Sequence, residues 1–457
     1  MIPNYIIFFM NPLELVAKTL YNFQEKELTT QLLLAFGKRA ETFEQYNDIA
    51  KIFFEIKDFS NAITYGEQAL KLAKRPEEKY ITSKNLINAY NQFNYPEKAI
   101  TQIEKCKKIT PTDPELLFEE TTTYAQLGQY EKSHKLLFNL SKRNDLPEEI
   151  EKKVNHNLSG YYFRRDDLYT ALSHFLTETE KEAYKNIKIK HKKWDGVITP
   201  GKTLIIDANC GGGDEVMHIR FMKNLKELGM NPIWSTTRKQ LSDVFNYNGF
   251  ESVCVWDKPE YPEGSEWVYA LSLPYHLNLS VQDLGREPYL KPLPEKEEQY
   301  SWIQKDKKFK IGFFWNSDSG FEQAHFRSVK FDDLFAVVNQ NKFSLYSLQM
   351  SDNPVPEGCR RFIKEFHSKD REFSDTFSIV NQMDLVITSC TSIAHIAASM
   401  GKEVCVFVPI MEYYAWTSST GKSWWYGDNV HLFKQKKPRD WTQPLKELRE
   451  FLDDRGV

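Results

Sequence analysis

The run Thr203-Leu204-Ile205-Ile206-Asp207-Ala208-Asn209-Cys210-Gly211-Gly212-Gly213-Asp214 sets the fold of the second half of this chain. Its first five residues are apolar and β-prone, three glycines make a turn, and a helical pattern then runs from Glu215 to Leu228. A strand that turns directly into a helix opens a βαβ unit. Reading outward, the alternation continues. Asn231–Ser235 is a second strand, a helix follows near Lys239–Asn246, and Val253–Trp256 is a third strand. The pattern restarts with strands at Lys310–Trp315, Phe343–Leu348, Leu385–Thr388 and Glu403–Val408. Helices are expected at Ile393–Met400 and Gln443–Leu452. A Pro/Glu-rich stretch, Pro288–Glu298, separates the two sets. The expected architecture is two Rossmann-like domains, 194–298 and 299–457, facing across a cleft.

Upstream, residues 41–183 have helical periodicity and repeat themselves. Asp58-Phe59-Ser60-Asn61-Ala62-Ile63, Tyr95-Pro96-Glu97-Lys98-Ala99-Ile100, Gly128-Gln129-Tyr130-Glu131-Lys132-Ser133 and Asp167-Leu168-Tyr169-Thr170-Ala171-Leu172 match in kind. Ala62, Ala99, Ser133 and Ala171 lie 37, 34 and 38 residues apart, each at the expected start of a second helix. A small residue there lets paired helices approach closely. Prolines at 76, 111, 114 and 147 punctuate the pairs. A period of about 34 residues with this pattern resembles tetratricopeptide repeats. Such solenoids present a surface to peptides, partner proteins or a second copy. Residues 1–40 are expected to form a helical N-terminal segment, with a helical start at Asn11-Pro12-Leu13-Glu14.

Composition narrows the function. Lys and Arg total 60 and Asp and Glu 63, a formal net charge of −3 in 457 residues, with no pull toward nucleic acid or anionic membrane. The apolar run Tyr5–Met10 is too short to span a bilayer, so no transmembrane segment is expected. The six cysteines include no C-x-x-C and no zinc-finger spacing, which fits free thiols in the cytoplasm and no metal site. Tyr184–Lys193 is strongly basic and reads as a solvated connector or a phosphate contact.

The chemistry-bearing residues cluster after strands. Gly211, Gly212 and Gly213 let backbone N–H groups approach an anion at a helix start. Asp214 suits a helix cap and a general base equally. Thr391, Ser392, Ile393 and His395 follow a strand and open a helix, fitting either a diphosphate or an ordinary cap. Asn316 begins a polar loop that ends at Arg327-Ser328, and an arginine there can neutralise a phosphate. Gln349 ends the neighbouring strand and points to the same cleft. Tyr413-Tyr414, Trp416 and Trp424-Trp425-Tyr426 either stack on a ligand or pack the interior. Asp207–Gly213 also looks like the first motif of a methyltransferase that binds S-adenosylmethionine. That chemistry, like NAD-dependent hydride transfer, wants an acidic residue after the next strand. Ser235-Thr236-Thr237-Arg238 stands there instead.

The order of Trp194-Asp195-Gly196, Gly211–Asp214 with Arg220, Leu271–Pro274, Pro288–Leu290, Gly312–Asn316, Arg327-Ser328, Ser347–Gln349, Asp384–Ile387, Thr391–His395, Gly401-Lys402, Trp425-Tyr426 and Phe433–Gln435 carries a resemblance. The chain resembles bacterial tetratricopeptide proteins with a GT-B glycosyltransferase domain. It is similar to ADP-heptose:lipopolysaccharide heptosyltransferases and, more distantly, to O-GlcNAc transferases. The resemblance implies an acceptor domain first and a nucleotide-sugar donor domain second. It implies that Asp214 is the catalytic base and that Arg327 balances the leaving phosphate. Asn316, Gln349, Thr391, Ser392, Ile393 and His395 would hold the donor, beside an acceptor-side loop at Gly211–Gly213. No metal and no cofactor beyond the donor are implied. Two positions depart from the pattern: Asn209-Cys210 stands where members often have Glu-Gln, and Cys390 where they often have Asp. The readings are therefore an inverting, metal-independent hexosyl- or heptosyltransferase, a scaffold that has lost catalysis, and, third, a methyltransferase. The acceptor is expected to be protein or glycan.

Overall fold

The computed structural model describes residues 12–22, 25–176, 190–316, 324–338, 342–349, 354–366 and 371–454. Tyr5–Met10 and the basic residues 184–189 lie outside them. The chain divides into two compact units, Met1–Ile150 and Glu151–Val457.

The first unit is a succession of helices: Pro12–Asn22, Lys26–Gly37, Phe43–Glu55, Phe59–Leu72, Pro76–Gln92, Pro96–Lys107, Pro114–Gln126 and Tyr130–Leu140. Each packs chiefly on its sequence neighbour. Ala62, Ala99 and Ser133 are each the fourth residue of a second helix and are buried. Gly66 shows why small residues are needed: a Cβ there would lie 2.8 Å from Leu86 Cδ2. Pro76 and Pro114 open helices, at positions whose N–H has no helical partner. Asp113 caps the helix Pro114–Gln126 and also accepts hydrogen bonds from Tyr80 Oη (2.5 Å) and Lys84 Nζ (2.9 Å) of an earlier helix.

Another helix pair, Glu148–Phe163 and residues 168–176, starts at the boundary and lies almost wholly in the second unit. Ala171 is again small and fully buried. The expected repeat module 41–183 is thus divided, because this last pair belongs to the core of the second unit. Phe163 stacks on Tyr414 with ring centroids 5.1 Å apart, and Phe175 lies 5.3 Å from the same ring.

Two parallel sheets follow. The first holds β1 (Lys192–Lys193), β2 (Thr203–Asp207), β3 (Asn231–Thr236), β4 (Ser252–Cys254) and β5 (Glu266–Tyr269), in the order β1-β5-β2-β3-β4. The second holds β6 (Phe309–Phe314), β7 (Phe343–Ser347), β8 (Ile363–Lys364), β9 (Leu385–Ser389), β10 (Val404–Val408) and β11 (Val430–Lys434), in the order β11-β10-β9-β6-β7-β8. β9 and β10 are buried along their whole length, as strands covered on both faces must be. Strand order reverses between β2 and β5 and between β6 and β9. Parallel sheets bind ligands outside the carboxyl ends at such points.

Details differ from expectation. The stretch Glu215–Leu228 is three pieces: helix Gly212–His218, a 3₁₀ turn Ile219–Phe221 and helix Met222–Glu227. The strand expected at Val253–Trp256 ends at Cys254, and Val255–Asp257 turn away as 3₁₀. Of the basic run, Lys192-Lys193 forms the exposed edge strand β1. The six cysteines are free thiols. Among the described residues no helix is long and apolar enough to cross a membrane.

Candidate active site

On the first sheet the site grows from β2. Gly211 precedes the helix with ordinary extended backbone, and Asp214 sits in that helix's first turn. The Asp214 carboxylate accepts the Gly211 N–H through Oδ2 at 3.2 Å and the Tyr413 hydroxyl through Oδ1. Cap and acid–base group are therefore compatible in one side chain. Burial raises the Asp214 carboxyl above its ordinary value, against the pull of Tyr413, the Gly211 amide, Arg238 and Arg327. Beside it Glu215 is fully buried, accepting from Trp234 Nε1 (3.0 Å) and Arg238 Nη1 (2.6 Å). Arg238 also donates to the Cys210 carbonyl at 3.0 Å, so the arginine that replaces a ribose-binding acid braces the glycine turn.

On the second sheet the site spans the ends of β6, β7 and β9. Gln349 clasps the Asn316 backbone, accepting its N–H at 3.2 Å and donating to its carbonyl at 2.9 Å. Ser328 Oγ donates to Asn316 Oδ1 at 2.7 Å. Arg327, on the short helix Ala324–Arg327, donates to the Cys390 carbonyl at 2.9 Å, which brings it to the β9 turn. Thr391 and Ser392 are partly exposed there, at the start of helix Ser392–Ser399. Ile393 and His395 turn inward and are buried. His395 Nδ1 and Tyr426 Oη share a hydrogen bond of 2.8 Å, and its ring stacks on Trp416 at 4.7 Å. Burial lowers the His395 imidazole to about 3, so it is neutral at physiological pH.

The two sides converge. Tyr413, from the loop after β10, reaches Asp214 after β2. A Cβ on Gly213 would lie 2.9 Å from His395 Cδ2 and 3.2 Å from Ser392 Cα. The glycine turn thus lets the two helix starts touch. Arg220 stitches the same contact, donating to the carbonyls of Gly285 (2.8 Å) and Trp425 (2.6 Å) and to Tyr289 Oη (2.9 Å). Trp416, Trp424, Trp425 and Tyr426 are buried, so that aromatic cluster packs the interior. Glu215 and Arg238 were not expected at the site, and Tyr413 was expected to stack on a ligand or pack the interior, not to hydrogen-bond Asp214. Tyr413 stood in a run readable as core, and nothing local points it at a residue 199 positions away.

No protein-family model matches the sequence, and no curated protein does. Solved structures do. Heptosyltransferase WaaC of E. coli with ADP-2-deoxy-2-fluoro heptose is 8% identical, covering 55% of this chain and 99% of that one, with a TM-score of 0.38. A mutant O-GlcNAc transferase of Thermobaculum terrenum is 13% identical, covering 90% and 92%, with a TM-score of 0.32. A TPR protein of Thermus thermophilus is 16% identical, covering 38% and 92%, with a TM-score of 0.28. All three TM-scores lie below 0.5, and the fold stands on this chain's own elements: helical repeats followed by two parallel sheets.

Proposed function

We propose that this chain is a glycosyltransferase that moves a sugar from a nucleotide-sugar donor to an acceptor hydroxyl with inversion. One observation carries the reading: Asp214 after β2 and Arg327 with Thr391-Ser392 at the β9 turn meet where the two sheets turn their carboxyl ends toward each other. Asp214 takes the acceptor's proton as its oxygen attacks the anomeric carbon. The bond from that carbon to the diphosphate breaks, and the electron pair leaves with the diphosphate. Arg327 and the amides at Thr391-Ser392 take up the departing charge, so the reading needs no metal ion. Asn316 and Gln349 hold the donor end of the cleft. Ile393 and His395 support it from below, the neutral His395 as a packing and hydrogen-bonding group. The repeats dock an acceptor, a partner protein or a second copy.

A positioned base contributes about 10²–10⁴ in rate and one preorganised charge contact about 10²–10³. Asp214→Asn is nearly isosteric. It should lose transfer by at least a hundredfold while keeping nucleoside-diphosphate binding, read as a thermal shift. Full transfer activity in this variant would remove Asp214 from the role of base.

A second reading, a scaffold without catalysis, draws on the double engagement of Asp214 by Gly211 and Tyr413 and on Cys390. It expects no stabilisation by any nucleoside diphosphate or nucleotide sugar. A shift that grows with ligand concentration speaks against it. S-adenosylmethionine in the same screen tests the methyltransferase reading.

A further inference from the structure

The helix pair 148–176 grips the loop after β10, residues 412–419, at three points. Arg164 Nη2 lies 3.1 Å from Glu412 Oε2. The rings of Phe163 and Phe175 lie against Tyr414. Asp166, in the turn between the two helices, accepts hydrogen bonds from the Ser419 N–H at 3.0 Å and from the Ser419 hydroxyl. Lys434, the last residue of β11, holds the other oxygen of Glu412 at 3.0 Å. Between Glu412 and Tyr414 stands Tyr413, whose hydroxyl donates to Asp214. The Trp416 N–H donates to the Tyr413 carbonyl at 2.9 Å and closes the turn.

We propose that Arg164 and Glu412 are positioning residues for Asp214: through them the last helix pair of the repeats holds the Tyr413 hydroxyl on the carboxylate that serves as base. Only the role of base rests on the transferase reading; the positioning rests on the contacts. The Glu412 side chain is 10% exposed, and its two oxygens meet cations from two elements, a helix and a sheet. An ion pair this deep returns little net stability, because desolvation offsets its attraction. Phe163 and Phe175 already bury the helix pair against Tyr414. What the carboxylate adds is direction. It fixes residue 412 against both elements, where an apolar contact tolerates sliding. Adjacent Cα atoms are about 3.8 Å apart, so a shift of residue 412 passes directly to Tyr413. The hydrogen bond that Tyr413 makes is steep in distance and angle. That bond favours the ionised Asp214 against burial, together with the Gly211 amide, Arg238 and Arg327. Cys210, Cys390 and Tyr414 also face the carboxylate.

The test uses the full-length protein and reads the titration of Asp214 from urea melts across pH, each protein against the same protein carrying Asp214→Asn. Burial raises the Asp214 carboxyl, so the stability it contributes is lost as pH rises through its folded value. Arg164→Met loosens the Tyr413 donor. It should move that loss to higher pH by about half a unit or more, part of the roughly one to two units that a hydrogen bond to a charged group is worth. Arg164→Lys should move it less. Tyr169→Ala cuts a different contact of the same pair, the stack on Tyr275, and should leave it in place. In the Tyr413→Phe background Arg164→Met should add nothing. If Arg164→Met does not fold, Lys434→Met releases Glu412 from the sheet side with the same expectation. An unmoved loss, an equal shift in Tyr169→Ala, or a shift that persists in the Tyr413→Phe background would overturn the proposal. A nucleoside-diphosphate thermal shift on the same preparations separates the two claims. A moved titration without that shift removes only the transferase reading. The shift with an unmoved titration removes only the positioning.

Discussion

Asp207 and Asp214 show how one turn sets two carboxylates apart. Burial pushes the Asp207 carboxyl up to about 6 from 3.8, and only a hydrogen bond from the Asn209 backbone opposes it. The folded state therefore holds this proton more tightly than the unfolded chain does. The stability it contributes is fully present below about pH 4 and is lost as pH rises through about 6. Asp207→Asn abolishes the titration. Relative to that variant, the wild type should lose up to about 3 kcal/mol between pH 4 and 7.5. Urea melts of both proteins at the two pH values measure this, and a difference independent of pH would refute it. Tyr413 bears on the second carboxylate. Its phenol donates to Asp214 and favours the ionised form. Under the proposed reaction, Tyr413→Phe should move the acid limb of the pH–rate profile to higher pH while keeping most of the rate on the alkaline side. An unmoved limb with a lower plateau would make Tyr413 a packing residue only.

Helix starts are where the local pattern was easiest to read and the site hardest. The fourth-residue positions of Ala62, Ala99, Ser133 and Ala171 follow from spacing alone, because close packing within a pair is a local demand. β2, β3, β6, β7, β9 and β10 were legible as apolar runs, whereas the four-residue β5 and the two-residue β1 and β8 are too short to show a period. The glycine turn was legible as a turn but not as a contact. Its partner Ser392 is distant in sequence, and glycines that admit an anion look the same as glycines that admit another helix. The difference is measurable. Gly213→Ala places a Cβ 3.2 Å from the Ser392 backbone and 2.9 Å from the buried His395 ring. It should destabilise by about 1–3 kcal/mol, as overpacking does. Gly358→Ala has nothing within 4 Å and should stay within about 0.5 kcal/mol of wild type. Equal stability of the two variants would show that the helix starts do not touch.

At the scale of the whole molecule, the sequence read as a repeat module, a connector and two halves; the described residues have helical repeats followed by two parallel sheets, and connector residues 184–189 lie outside them. The boundary moved because a repeat and a domain are different things. Repeats are recognised by period, but a domain is defined by the core into which its apolar face is buried. The pair 148–176 keeps the period, with Ala171 in register, while its aromatic face is buried elsewhere. Phe163 and Phe175 cover Tyr414, Phe163 also lies against Trp424, Tyr169 stacks on Tyr275 at 4.8 Å, and Arg164 pairs with Glu412 at 3.1 Å. A fragment of residues 146–457 keeps all of these. A fragment of residues 194–457, cut where the period suggests the second half begins, strips them and exposes Tyr414 and Trp424. Loss of a single buried Phe side chain typically costs about 3–5 kcal/mol, comparable to half a domain's stability. The longer fragment should therefore melt cooperatively and be stabilised by nucleoside diphosphate, as the full chain is expected to be. The shorter one should bind a hydrophobic dye such as ANS and lose near-ultraviolet circular dichroism. Cooperative melting of both fragments at the same temperature would mean that the helix pair is an accessory of the repeats and that the transferase half is complete without it.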